Sequence, residues 1–288
     1  FLHVCNILSQ FLITTFTLMQ IILSPAKTID LNASCPKEMD SLPDLNEHAN
    51  ILMSQLKNID RTELKDLMKL SDKLSNSVSE WHKKWNSYKS ISEAKEAGAI
   101  PCGFAMQGEA FKFLGLSTLK RCDVEYAQSH LFIISGLYGL LRPCDLIMPY
   151  RLEMGLTFKV DSVNASLYSF WSKHLKEPIT SKLNVNESDI ILNLASEEYS
   201  KVIKRTGVNA RIITCTFKEE SNKGLRSIST FAKQARGAIA RFAIQEKLSG
   251  EEGVEKLMSF NNLDYRFNTE LSEPNNMIFT RSINKTRT

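Results

Sequence analysis

Apolar residues recur along this chain in two spacings. Between residues 45 and 85, Ile51, Leu52, Leu56, Leu64, Leu67, Met68, Leu74 and Val78 fall at roughly helical intervals, which predicts helices. Three other runs, QIIL (20–23), LFIIS (131–135) and DIILNL (189–194), are short, rich in Ile and apolar on both faces. Buried strands read this way. Each ends in small or polar residues: SPAKT (24–28), SGLYG (135–139) and NLAS (193–196). ARIITCTF (210–217) and RSISTF (226–231) read as a fourth and a fifth strand, and AKQARGAIARFAIQEKL (232–248) as an amphipathic helix. Residues 30–50, with Pro36 and Pro43, read as a loop, and 86–130 as short helices and turns punctuated by Gly98, Gly103, Gly108 and Gly115. Alternating strands and helices predict a single α/β domain with a mixed sheet flanked by helices.

The two ends follow another pattern. FLHVCNILSQFLITTFTL (1–18) is apolar and carries no Lys, Arg, Asp or Glu. A secretory signal would need a basic start and a small-residue cleavage site, and Asn6, Ser9, Gln10 and the Thr residues dilute it as a membrane span. Met19 directly precedes the first strand-like run. The expectation is an extension at 1–18, with a signal or anchor as the alternative, a domain at 19–281 and a tail at 282–288.

Composition narrows the class. At 288 residues and 43% apolar content, the chain can bury a large core. A net charge of +4 permits an anionic partner without demanding one. Six cysteines lack any C-x-x-C pairing, which suits reduced thiols in a cytoplasmic protein. The five histidines are scattered and no metal or other cofactor is expected. No G-x-S-x-G or Rossmann fingerprint is present, and no catalytic motif is recognisable.

Ligands of open α/β sheets gather beyond the carboxyl ends of the strands, so the polar loops after the three buried runs are where chemistry is expected. SPAKT sets Lys27 just after a strand but lacks the glycines of a phosphate loop. Lys27 is therefore a candidate anion anchor or an exposed turn lysine. Arg142 precedes Pro143, which biases it towards an extended backbone. In PYRLEMG (149–155), an extended chain puts Arg151 and Glu153 on one side and Tyr150 and Leu152 on the other. Glu153 then either pairs with Arg151 or serves as a general base. Ser196 suits a helix N-cap, with Glu197 and Glu198 in the first turn. Lys233 and Arg236 lie one turn apart in the N-terminal half of the late helix, where cations oppose the helix dipole and an anionic ligand would explain them.

Positive charge is concentrated late. Lys201, Lys204, Arg205, Arg211, Lys218, Lys223, Arg226, Lys233, Arg236, Arg241 and Lys247 are opposed between 199 and 248 only by Glu219, Glu220 and Glu246. Such a stretch fits a phosphate-backbone partner, or an ordinary solvated face. Upstream, LKDLMKLSDKLS (64–75) has the apolar spacing of a DNA-binding helix-hairpin-helix, although Lys69 and Ser71 replace the usual glycines and Lys73 follows. Plain helix packing is the other reading.

ILSPAKT, LMKLSDKL, SGLYGLLRP with PYRLEMG, LYSFW, LNLASEEY and FAKQARGAIARF, in this order, resemble the YaaA family of peroxide-stress proteins, from Met19 to about Arg281. The resemblance implies a cytoplasmic protein of the oxidative stress response, linked to lower free iron under hydrogen peroxide and to DNA binding. It also implies an α/β fold with a positively charged cleft and a helix-hairpin-helix. Lys27, Arg142, Arg151, Lys233 and Arg236 match the family's blocks and are the cleft candidates it offers. With Lys69, Lys73 and Arg241 they make up the expected DNA-contacting set, with duplex or distorted duplex DNA as the partner and no membrane. Two alternatives stand beside DNA binding: an enzyme acting on a nucleotide or nucleobase, with Glu153 as base, and an iron-binding protein.

Overall fold

A computed structural model describes residues 18–182, 189–222 and 224–282. Apart from Leu18 and Ser282, the expected extension and tail lie outside the described residues, as does Lys223.

The three Ile-rich runs form neighbouring strands, as their two-faced apolarity requires. β1 (Met19–Leu23) lies between β2 (Leu131–Ser135) and β4 (Ile190–Asn193), parallel to both. Every residue of these strands is buried. β3 (Gly139–Leu141) folds back antiparallel on β2 and closes one edge. On the other side β5 (Arg211–Ser221) runs parallel to β4. β6 (Gly224–Arg226) pairs back on β5, and β7 (Arg266–Phe267) and β8 (Asn276–Ser282) complete an eight-stranded sheet in the order β7-β8-β5-β4-β1-β2-β3. The sheet is mixed, as expected.

Two expectations change here. RSISTF is not a strand: only Arg226 ends β6, and a helix begins at Ser229. Asn276–Ser282 is a full strand on the parallel side of β5 that the hydrophobic pattern did not reveal. Its run NMIFTRS is only partly apolar, so its identity depends on finding β5 as a neighbour.

The predicted helical stretch resolves into α1 (Asn46–Leu56), α2 (Arg61–Met68) and α3 (Asp72–Lys84). Asp60 caps α2 by accepting from the Thr62 and Glu63 amides, and Ser71 caps α3 by accepting from Leu74. Between them Lys69 takes φ +51° and ψ +54°, a left-handed conformation that glycine would adopt more cheaply. The later helices that matter for the site are α4 (Glu109–Leu114), α5 (Arg121–His130), α6 (Leu167–His174), α7 (Glu197–Arg205) and α8 (Ser229–Gln245). α8 buries a small-residue face of Ala232, Ala235, Gly237, Ala238, Ala240 and Ala243. Gly237 is essential to its seat on α4, because a Cβ there would sit 1.9 Å from the Ala110 carbonyl oxygen.

No helix among the described residues is long and apolar enough to cross a membrane.

Candidate anion-binding cleft

Strand order reverses at β1. The chain passes from β1 to β2 on one side and later returns to β4 on the other, so a crevice opens between the carboxyl ends of β1 and β4. Ile22 and Asn193 are register partners there. Just beyond them the Ser196 amide donates to Ser24 Oγ at 2.8 Å, and the two hydroxyls meet at 3.2 Å. Ser196 does occupy the N-cap position of α7, but its hydroxyl makes no capping bond. It is engaged across the crevice instead.

A cavity of about 250 Å³ fills this crevice. Its cations are Lys27, from the loop after β1, and Lys233 and Arg236, from α8. The packing of Gly237 against Ala110 brings α8 alongside α4, and both helices contribute to the lining. The distant segments that sequence reasoning wanted together therefore do converge. Lys233 is exposed at the rim, whereas Arg236 is half-buried with its Nε enclosed and without a hydrogen-bond partner. Burial draws the Arg236 guanidinium below its ordinary value, with the Cys215 thiol countering only in part.

A second cluster adjoins the cavity through Lys27. Lys27 Nζ lies 3.1 Å from Glu153 Oε1, and the same oxygen accepts from Arg151 Nη2 at 2.8 Å and Nε at 3.1 Å. The alternation expected of PYRLEMG holds. The Tyr150 hydroxyl pairs with Ser135 Oγ at 2.6 Å and Leu152 is buried, while Arg151 and Glu153 project together. The first glycine of SGLYG makes this possible. A Cβ on Gly136 would meet the Leu152 carbonyl oxygen at 2.2 Å, so only glycine lets the segment lie across the end of β2. The Arg151–Glu153 pair is largely withdrawn from solvent: the side chains are 13% and 11% exposed. Glu153 Oε2 is buried without a partner. His82, near the end of α3, accepts the Arg151 amide at its Nε2 at 3.4 Å, and burial holds its imidazole down to about 4.

Other members of the expected set lie elsewhere. Arg142 follows β3, which runs back towards the amino end of β2. It donates to Asp145, Asp44 and the Leu42 carbonyl, with Nη2 3.1 Å from both carboxylates. Arg241 donates through Nη1 to the Leu114 and Gly115 carbonyls and to Thr118 Oγ1, clamping the end of α4. Lys69 and Lys73 are exposed on the α2–α3 turn.

The cationic late stretch also divides. Arg211, at the amino end of β5, is bound by Glu251, Asn275 and the Pro274 carbonyl. Lys247 is bound by Asp123. Lys201 and Arg205 lie over the Tyr168 ring. The stretch is therefore not one continuous phosphate-gripping face.

Sequence reasoning missed Ser24, Glu109 and Tyr199 as cavity residues. Ser24 stood inside a quoted motif, but Glu109 carried no signal. It follows none of the Ile-rich runs in sequence, and it reaches the cavity through the pairing of Met106–Gln107 with Thr28–Ile29 and through the α4–α8 contact. Glu109 accepts from Gln234 at 2.6 Å and pairs with Lys112 at 3.2 Å, and these bonds hold its carboxyl below the usual range. Among the described residues no group of three His, Cys, Asp or Glu side chains is placed to hold a metal ion.

Comparison with known proteins identifies the family. The family model described as peroxide stress protein YaaA matches residues 19–271. A UPF0246 protein of Francisella philomiragia subspecies philomiragia is 36% identical over 263 residues, covering 91% of this chain and 100% of the relative. A UPF0246 protein of Colwellia psychrerythraea is also 36% identical over 263 residues, covering 91% of this chain and 99% of the relative. The chain belongs to the peroxide stress protein YaaA family.

Proposed function

We propose that this family member serves in the peroxide stress response as a cytoplasmic DNA-binding protein that grips phosphates from two places. The first is the mouth of the cleft, with Lys27 and Lys233. The second is the α2–α3 turn, with Lys69 and Lys73 as the exposed end of a helix-hairpin-helix. The observation that carries the reading is the convergence of Lys27, Lys233 and Arg236 on one cavity from two distant segments. The two places are joined through α3. His82 touches the Arg151 amide, and Lys73 stands nine residues earlier on the same helix, about 13 Å along its axis at 1.5 Å per residue. A phosphate backbone can be contacted at both ends of such a span, and each contact releases counterions.

The test is a salt-resolved titration with duplex, bubble and junction DNA. Wild type is expected to lose affinity steeply as salt rises. Lys69→Ala/Lys73→Ala is expected to weaken binding to all three substrates and to lower the log–log salt slope by about 2, close to one per phosphate contact removed. Absence of binding, or affinity indifferent to salt, overturns the proposal.

A further inference from the structure

Arg236 presents a problem that the fold itself does not solve. Buried polar groups in folded proteins ordinarily have partners, and an enclosed charge without one is more costly still. Arg236 Nε is enclosed and unpartnered. Two carboxylates line the same cavity, but both are engaged elsewhere: Glu109 by Gln234 and Lys112, and Glu198 by the Gly155 amide at 3.0 Å. The thiol facing Arg236 is Cys215, itself buried and pushed up to about 12, so it stays neutral and offers no counter-charge. Among the described residues no acceptor is placed for it, which points to one from outside.

The rest of the cavity describes that acceptor. Lys27 and Lys233 add two positive charges, and Ser24 and Ser196 add hydroxyls at the start of α7. Lys27 is shared with Glu153 at 3.1 Å, so Arg236 and Lys233 supply the charge free for a ligand and Lys27 can turn to it from that pair, a setting that suits an anion with several oxygens such as a phosphate monoester. The remaining wall is apolar: Leu23, Phe111, Leu194 and Tyr199. About 250 Å³ leaves room for one small molecule with a flat apolar part beneath the mouth.

We propose that this cavity is a binding site for a single nucleoside monophosphate. Its phosphate is held by Arg236, Lys27 and Lys233, and its base rests on the wall of Leu23, Phe111, Leu194 and Tyr199. The phosphomonoester reaches the site on a free nucleotide or on the terminal nucleotide of a DNA strand. The site shares Lys27 and Lys233 with the mouth proposed for DNA, but Arg236 belongs to it alone and Lys69 and Lys73 to duplex binding alone, so the two readings fail separately.

The experiment is calorimetric titration of the full chain with thymidine 5′-monophosphate, thymidine and inorganic phosphate, alongside thermal unfolding of the ligand-free protein. The monophosphate is expected to bind saturably, at least tenfold tighter than thymidine and tighter than inorganic phosphate. Arg236→Met is expected to weaken monophosphate binding at least tenfold while leaving the ligand-free melting temperature unchanged or raised, because it removes an unpaired charge. Lys27→Ala alters a side chain that is 66% exposed, so it folds regardless and is expected to weaken binding by a smaller factor. Competition by a 5′-phosphorylated single strand, but not by one ending in hydroxyl, names the strand end as source; no competition by either names the free nucleotide. The proposal is overturned if the monophosphate binds no tighter than thymidine, or if both variants bind as wild type does. It is overturned too if ligand-free Arg236→Met melts lower, which would make Arg236 a packing residue. Loss of duplex binding in Lys69→Ala/Lys73→Ala with monophosphate binding intact separates the two sites.

Discussion

Two arginines that look alike in sequence differ most in what surrounds them. Arg142 and Arg236 each sit in a family block, and each loses much of its contact with water on folding. Arg142 meets Asp145, 1% exposed at its side chain, and Asp44, together with a backbone carbonyl. Ser41 completes the knot by donating to Asp145 at 2.6 Å. Arg236 meets no carboxylate among the described residues, and its Nε has no partner. The first arginine is neutralised by the protein and ties the loop before α1 to the turn after β3. The second is left with unspent charge at the carboxyl edge of the sheet, where a ligand can use it. Counting partners separates a structural cation from a binding one, and proximity to a motif does not.

The comparison breaks most visibly at Arg142. Arg142→Met strands the Asp145 carboxylate in the interior, and breaking a buried pair on one side costs about 3–5 kcal/mol. A fall in melting temperature of roughly 10 °C is expected for a chain of this size. Arg236→Met should show no such loss. Equal destabilisation by both would erase the distinction.

The next largest effect is a pH response on the cleft side. Burial holds His82 neutral down to about pH 4, against 6.5 for a free imidazole. The unfolded chain therefore takes up this proton first as pH falls. Stability is complete above 6.5 and declines between 6.5 and 4, by roughly 3 kcal/mol from this group. His48, His130 and His174 are lowered by burial as well and act in the same direction. Urea unfolding at pH 7 and pH 4.5 measures the decline, and His82→Gln should flatten part of it. An unchanged slope in that variant would show that His82 does not stay neutral.

The smallest effect sharpens the distinction with a third arginine. Arg241 closes the end of α4 through three acceptors. Its replacement by Met should cost about 1–2 kcal/mol in urea unfolding and leave DNA affinity where it was. A loss of DNA affinity without a loss of stability would return Arg241 to the binding set.

Much of the fold was readable from the chain. A parallel strand buried on both faces is apolar nearly throughout, so β1, β2 and β4 announced themselves in QIIL, LFIIS and DIILNL. α8 was evident from its periodicity, within three residues at each end. β8 was not, because its half-apolar run has meaning only beside β5. The site was readable in part for the same reason. Lys27, Lys233 and Arg236 could be named as anion candidates from local pattern, and Arg151 and Glu153 as a pair from extended-chain alternation. Glu109 and the enclosure of the cavity could not, since both follow from contacts distant in sequence, Gln107 with Thr28 and Gly237 with Ala110.

By itself, then, the sequence determined the class of the fold, the central strands, the membership of the family and a pool of basic residues, because periodicity and motif order are local properties. Only the tertiary structure decided which of those cations stay available. That depends on which carboxylates and carbonyls the packed chain brings within hydrogen-bond reach, and distance across a fold is not written in spacing along it.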